Sequence, residues 1–198
     1  MTKTGNFYSS TTHPVGRKIV EIANEYNIKS RQFVEYSGFV HHRLNRLMRG
    51  DIQWRVNDLA FVCSCFEDLT EGAIDGLTLF MKFYRTYTGP SNMYRLIDVP
   101  QVGPVLRMKA STHMSRYILD TCKANRVSCV MLVIMGQYVY GDTFEDRRAR
   151  RVLNRQALKM KDIPWLSAVI TQHGPIDDTT FLQGLYDTAI NGYTGGVK

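Results

Sequence analysis

The 198-residue chain has no CxxC pair, no His or Cys spacing of the kind that holds zinc, and no long apolar run. Its four cysteines, Cys63, Cys65, Cys122 and Cys129, each sit among apolar neighbours. That pattern fits buried, reduced thiols and excludes a zinc site read from sequence. No stretch approaches the roughly eighteen apolar residues that a membrane-crossing helix needs. The first fourteen residues are polar and lack the apolar core of a secretion signal, so a flexible arm and a cytoplasmic location are expected. There is no P-loop, no GxSxG and no HExxH, so neither an enzyme nor a metal or cofactor is expected. A self-cleaving repressor would carry an Ala-Gly cleavage site followed by a Ser/Lys pair, and that too is missing.

Acidic residues are scarce where basic ones gather. The net charge of +7 points weakly to a polyanionic partner, since many basic proteins bind none. Location is more telling than total. Between Phe39 and Arg55 stand four arginines and two histidines against one acid, Asp51. Between Arg147 and Lys161 stand seven Lys or Arg and no acid.

The first of these patches lies in the most regular part of the chain. Residues Ile28 to Asp51 read as a short helix over about Ser30–Tyr36, a tight turn at Ser37-Gly38, and a second helix over about Val40–Arg49 stopped by Gly50. At 100° per residue, Val40, Leu44, Leu47 and Met48 fall on one side of the second helix. His42, Asn45, Arg46 and Arg49 fall on the other, with His41 and Arg43 at its edges. A helix apolar behind and cationic in front, presented by a shorter helix, has the chemistry of a major-groove reader. Arginine pairs with guanine O6 and N7, and asparagine with adenine N6 and N7. His41, His42, Arg43, Asn45 and Arg46 are therefore the expected base readers. Ser30, Arg31, Gln32, Arg49, Gln53 and Arg55 are the expected phosphate contacts. Trp54 fits either that loop surface or the core.

From about Gly16 to Asp68 the order and lengths of helices resemble the lambda-repressor-like (Xre, Cro/CI) helix-turn-helix family. The matching positions are Ile28, Phe33-Val34, Gly38 in the turn, Leu44, Leu47, Gly50 and Leu59. The family commonly has Ala where Val34 stands and a Ser or Thr cap where Val40 stands. The resemblance implies a helix-turn-helix DNA-binding fold. With the apolar helix over Ala73–Tyr87 and the turn-forming cluster Thr88–Ser91, the expectation is a mainly α protein with a five-helix DNA-binding domain over 15–87, a linker over 88–93 and a C-terminal domain over 94–198. The resemblance also implies double-stranded DNA as partner, bound by a homodimer or by a monomer on an asymmetric site.

The C-terminal half is harder to read. Arg95–Lys109 is broken by Pro100 and Gly103-Pro104. Ser128–Tyr140 suits either a strand or a buried helix, so a small α or α+β domain is expected. Phe144–Met160 reads as one basic helix whose Arg147, Arg148, Arg150, Arg151 and Arg155 form a second patch. A shift of 98 residues aligns Val20 with Ile118, Asn27 with Asn125, Phe33 with Met131 and Gly38 with Gly136. A second helix-turn-helix is one reading of that alignment, and a dimerisation or effector-binding domain is the other. Together these features lead to the expectation of a transcriptional repressor of phage type. An antitoxin or anti-repressor that uses the same fold to bind a protein is the second reading.

Overall fold

The structure is a computed structural model that describes residues 11–88, 93–154 and 158–192. It is mainly helical, with ten α-helices and no strand among the described residues. None of those helices is long and apolar enough to cross a membrane. The described residues divide between two compact units that meet at Thr86 and Tyr87. Residues 1–10 of the expected arm and residues 89–92 of the expected linker lie outside the described residues. The remainder of the arm is tied down: the Thr12 hydroxyl donates to the Arg49 carbonyl at 2.9 Å, and His13 caps the first helix.

The first unit contains α1 (Pro14–Glu25), α2 (Ser30–Ser37), α3 (His41–Arg49), α4 (Val56–Leu69) and all but the last two residues of α5 (Gly76–Thr88). Pro14 opens α1, where a missing N–H costs nothing, and the His13 imidazole accepts from the Val15 N–H. Gly38 and Gly50 end α2 and α3 with φ of +64° and +84°, backbone angles that only glycine adopts without strain. Ile19, Phe33, Leu44, Leu47, Leu59, Phe66 and Phe83 make the core, and the Phe33 and Phe66 rings lie 5.2 Å apart. Trp54 belongs to this core and not to the surface. A Cβ on Gly16 would overlap the carbonyl and backbone of Met48, so that glycine is what lets α1 approach the C-terminal end of α3.

The second unit contains α6 (His113–Ala124), α7 (Cys129–Tyr140), α8 (Asp146–Leu153), α9 (Ile163–Gln172) and α10 (Asp178–Asn191), with 3₁₀ turns at Met93–Leu96 and Met160–Asp162. The ambiguous segment after Ser128 is thus a helix. Its all-round apolar surface is what made it resemble a strand, and burial of Met131, Leu132 and Met135 accounts for that composition. The basic helix expected over Phe144–Met160 is shorter, ending at Leu153. Phe144 and Leu158 at its margins are core residues, and Met160 already belongs to the next turn.

Five helices follow one another in each unit, and several turn contacts and buried positions recur between them. The first helices start at Pro14 and His113, and both end in the same turn. Ile28 N–H donates to Ala23 O at 2.7 Å as Val127 N–H donates to Cys122 O at 2.8 Å. The left-handed residue of that turn is Asn27 (φ 52°) in one and Arg126 (φ 54°) in the other. The register is therefore 99 residues and not 98. The Asn27–Asn125 identity that suggested 98 joins non-equivalent positions. Gly136, matched in sequence to Gly38, lies inside α7, where the absence of a Cβ makes room for the Phe144 ring. Further on, α7 is four residues longer than α2, and the turn after it is five residues instead of three.

Past those insertions the pattern resumes. Trp54 and Leu158 are buried ahead of α4 and α9. Buried Val56, Leu59, Val62, Cys63 and Phe66 are answered by Met160, Ile163, Leu166, Ser167 and Ile170 at one constant spacing. Asp75 accepts from the Thr78 N–H before α5 as Asp177 does from the Thr180 N–H before α10. Leu79, Phe80, Phe83 and Tyr84 then occupy the buried positions of Phe181, Leu182, Leu185 and Tyr186.

Two predictions follow from this packing. Gly16→Ala pushes a carbon into backbone and should cost about 3 kcal/mol, the upper end of overpacking penalties. Gly38→Ala meets open space and should cost only about 1 kcal/mol of conformational strain. Denaturant midpoints that reversed this order would place the close approach elsewhere. Burial also pushes the Cys65 and Cys122 thiols up to about 12 from 9.0. The folded thiols keep protons that the unfolded chain releases, so their contribution is complete below pH 9 and is lost as pH rises towards 12. Unfolding free energy should fall between pH 9 and 11, less steeply in Cys122→Ala. A flat profile over that range would contradict the burial.

A candidate nucleic-acid interface on helix α3

An isolated nine-residue helix is not stable in water, so α3 exists because its inner side is covered. Leu44, Leu47 and Met48 are all but fully buried. They are the fourth, seventh and eighth residues of the helix, which fixes its rotation. With that stripe facing inward, His41, His42 and Arg49 are exposed, and Asn45 and Arg46 are half-exposed. Among the described residues neither His42 nor Arg46 meets a carboxylate. The Asn45 amide lies 3.0 Å from His41 Nδ1, one turn back, which holds both side chains on the outer surface.

Arg43 departs from the expected role. Its Nη2 donates to both carboxylate oxygens of Asp58, at 2.7 and 2.8 Å, and Asp58 is the third residue of α4. Asp58 is largely covered, its side chain retaining 13% of its accessible surface. Arg43 sits at the edge of the helix, between the buried stripe and the outer face, and from there it reaches α4 instead of projecting outward. It ties α3 to α4, and the guanidinium expected to read a base is occupied by a carboxylate of the same chain. Sequence spacing within α3 gave no sign of this, because the carboxylate arrives from a different helix.

The expected phosphate contacts are mixed. Gln32, Gln53 and Arg55 are exposed. Arg31 is exposed but pairs with Glu35 at 2.7 Å, and Arg49 pairs with Asp51 at 2.8 Å. Both pairs lie on the surface, where such interactions are weak and readily exchanged for another anion. Ser30 is buried, and the N-cap position of α2 belongs to Lys29, so a hydroxyl-to-phosphate contact there is not supported.

The second patch has the same construction. Ala149, Val152 and Leu153 are buried at the fourth, seventh and eighth residues of α8, as Leu44, Leu47 and Met48 are in α3. Arg147, Arg148, Arg150 and Arg151 are exposed, while Arg155 lies outside the described residues. Arg150 Nε pairs with Asp146 at 2.6 Å, across the same one-turn interval as Asn45 and His41. Arg148, the counterpart of Arg43, lies over the Tyr140 ring at 4.7 Å, and the Tyr140 hydroxyl donates to Asp162 at 2.5 Å. Asp162 lies in the 3₁₀ turn just ahead of α9, at the same spacing from Asp58 as separates the buried residues Val56 and Met160, although Asp58 is inside α4. The pin is direct in the first unit and passes through a tyrosine in the second.

Among the described residues no group of three His, Cys, Asp or Glu side chains is placed to hold a metal ion. Asp58→Ala should lower stability by about 1 kcal/mol, a value discounted for the part-exposed guanidinium. Asp51→Ala should leave stability unaltered. Equal losses in the two variants, measured by chemical denaturation, would make Asp58 an ordinary surface acid. No protein-family model, curated protein or solved structure matches the chain.

Proposed function

We propose that the protein is a sequence-specific DNA-binding transcriptional regulator whose first unit is a helix-turn-helix domain, with α3 the helix that enters the major groove. One observation carries the reading: an outward face of His42, Asn45 and Arg46 on a short helix whose inner stripe and Arg43–Asp58 pin fix its rotation. Donors on that face suit base edges: the Arg46 guanidinium matches guanine O6 and N7, and the Asn45 amide matches adenine N6 and N7. Gln32, Gln53, Arg55 and, after exchange of Asp51, Arg49 supply cations and donors for flanking phosphates. Bound at a promoter, such a domain blocks polymerase by occupying the duplex, which makes repression the simplest output.

Desolvating an arginine on DNA is favourable only if nothing in the protein already satisfies it, which is why Arg46 and not Arg43 is assigned to the bases. Arg46→Ala should weaken binding to a selected duplex by about 1–3 kcal/mol and relax the preference at one base pair. Binding to random duplex should change little. A selection from random DNA that returns the same site for Arg46→Ala and wild type would take Arg46 out of the groove. A protein that binds all duplexes alike at physiological salt, yet captures a specific protein partner, would overturn the DNA reading altogether.

A further inference from the structure

We infer that α8 is a second DNA-reading helix, so that one chain carries two non-identical readers and recognises a bipartite, asymmetric site. The inference rests on the proposed role of α3 and extends it to the second unit. Its basis is the repeat, followed residue by residue. Aligning the N-caps Val40 and Glu145 places Arg147 on His42, Arg148 on Arg43, Arg150 on Asn45 and Arg151 on Arg46. The buried triplets coincide in that alignment. Both helices are also tethered in the same way to the residue two positions ahead of their unit's first helix. The Thr12 hydroxyl donates to Arg49 O at the end of α3, and the Ser111 hydroxyl donates to Asn154 O after α8, at 3.1 Å.

A helix that merely kept the protein soluble would have no need to share with α3 the rotation, the tether and a third-residue arginine held inward, here on the Tyr140 ring. Those features together fix which side chains point outward. In α8 the outward pair is Arg147 and Arg151, which among the described residues meet no carboxylate. They border an open groove of about 640 Å³ with Met108, Asp146, Arg150 and Asn154. The two reading faces differ in chemistry. His42, Asn45 and Arg46 form a mixed set, whereas on α8 Arg147 and Arg151 stand outward beside the Arg150–Asp146 pair, and two guanidinium groups favour guanine O6 and N7. Two different readers on one chain produce two different half-sites, so the preferred site need not be a palindrome.

The test is a selection from a random duplex pool with the full chain, followed by sedimentation of the protein on the selected duplex. The expected result is two blocks of preferred base pairs, unrelated in sequence, the α8 block richer in G·C, bound by one chain per duplex. Arg147→Ala with Arg151→Ala should erase that block, weaken binding about tenfold to a hundredfold and leave the other block intact. Arg46→Ala should do the reverse. Two chains on a palindrome, with the α8 variant selecting the wild-type site, would overturn the inference and leave the role of α3 standing. A shallower salt dependence with both blocks retained would also overturn it, reducing α8 to a phosphate contact. Loss of all preference in every protein, wild type included, would remove the proposed function instead.

Discussion

Three buried side chains on a helix too short to stand alone determine what this protein presents to its surroundings. Leu44, Leu47 and Met48 have no stable place except against the first unit's core, and once they are there the rotation of α3 is set. Everything chemically distinctive about the helix then lies outward. Gly16 permits the approach, Gly38 and Gly50 terminate α2 and α3, and the Arg43–Asp58 pair prevents the helix from rolling. Recognition in such a design needs rigidity more than affinity. A side chain misplaced by an ångström loses a bidentate contact, so a scaffold that fixes rotation is a precondition for reading sequence.

The same constraint appears a second time with different residues. Ala149, Val152 and Leu153 replace a larger triplet, and the arginine–aspartate pin becomes an arginine–tyrosine–aspartate relay. Such substitutions keep the geometry and change the chemistry. The Phe144 and Trp165 rings, 5.8 Å apart, are both fully buried, and Phe144 packs on Gly136 of α7.

Much of the first unit was legible from periodicity and glycine placement. The apolar stripe of α3 and the breaks at Gly38 and Gly50 are local signals, and the structure has them at those residues. Partners supplied by other helices were not legible. Nothing in the α3 sequence shows that Arg43 meets Asp58, or that Ser30 is buried, because both depend on what packs across the turn. The second unit was harder for a related reason. Helix α7 is apolar on nearly every side, so it carries no helical period, and the basic stretch gives no mark of where its helix stops. The repeat was visible only in outline. Matching identical residues gave a shift of 98, while the left-handed turn residues Asn27 and Arg126 set it at 99.

The most direct measurement is the affinity of the full chain for its best selected duplex relative to a scrambled duplex of equal length, taken at physiological salt. A protein that reads base edges should prefer its own site by about a thousandfold or more. Equal affinities that fall in parallel as salt is raised would show a polycation attracted to phosphates, and would contradict the account given for α3.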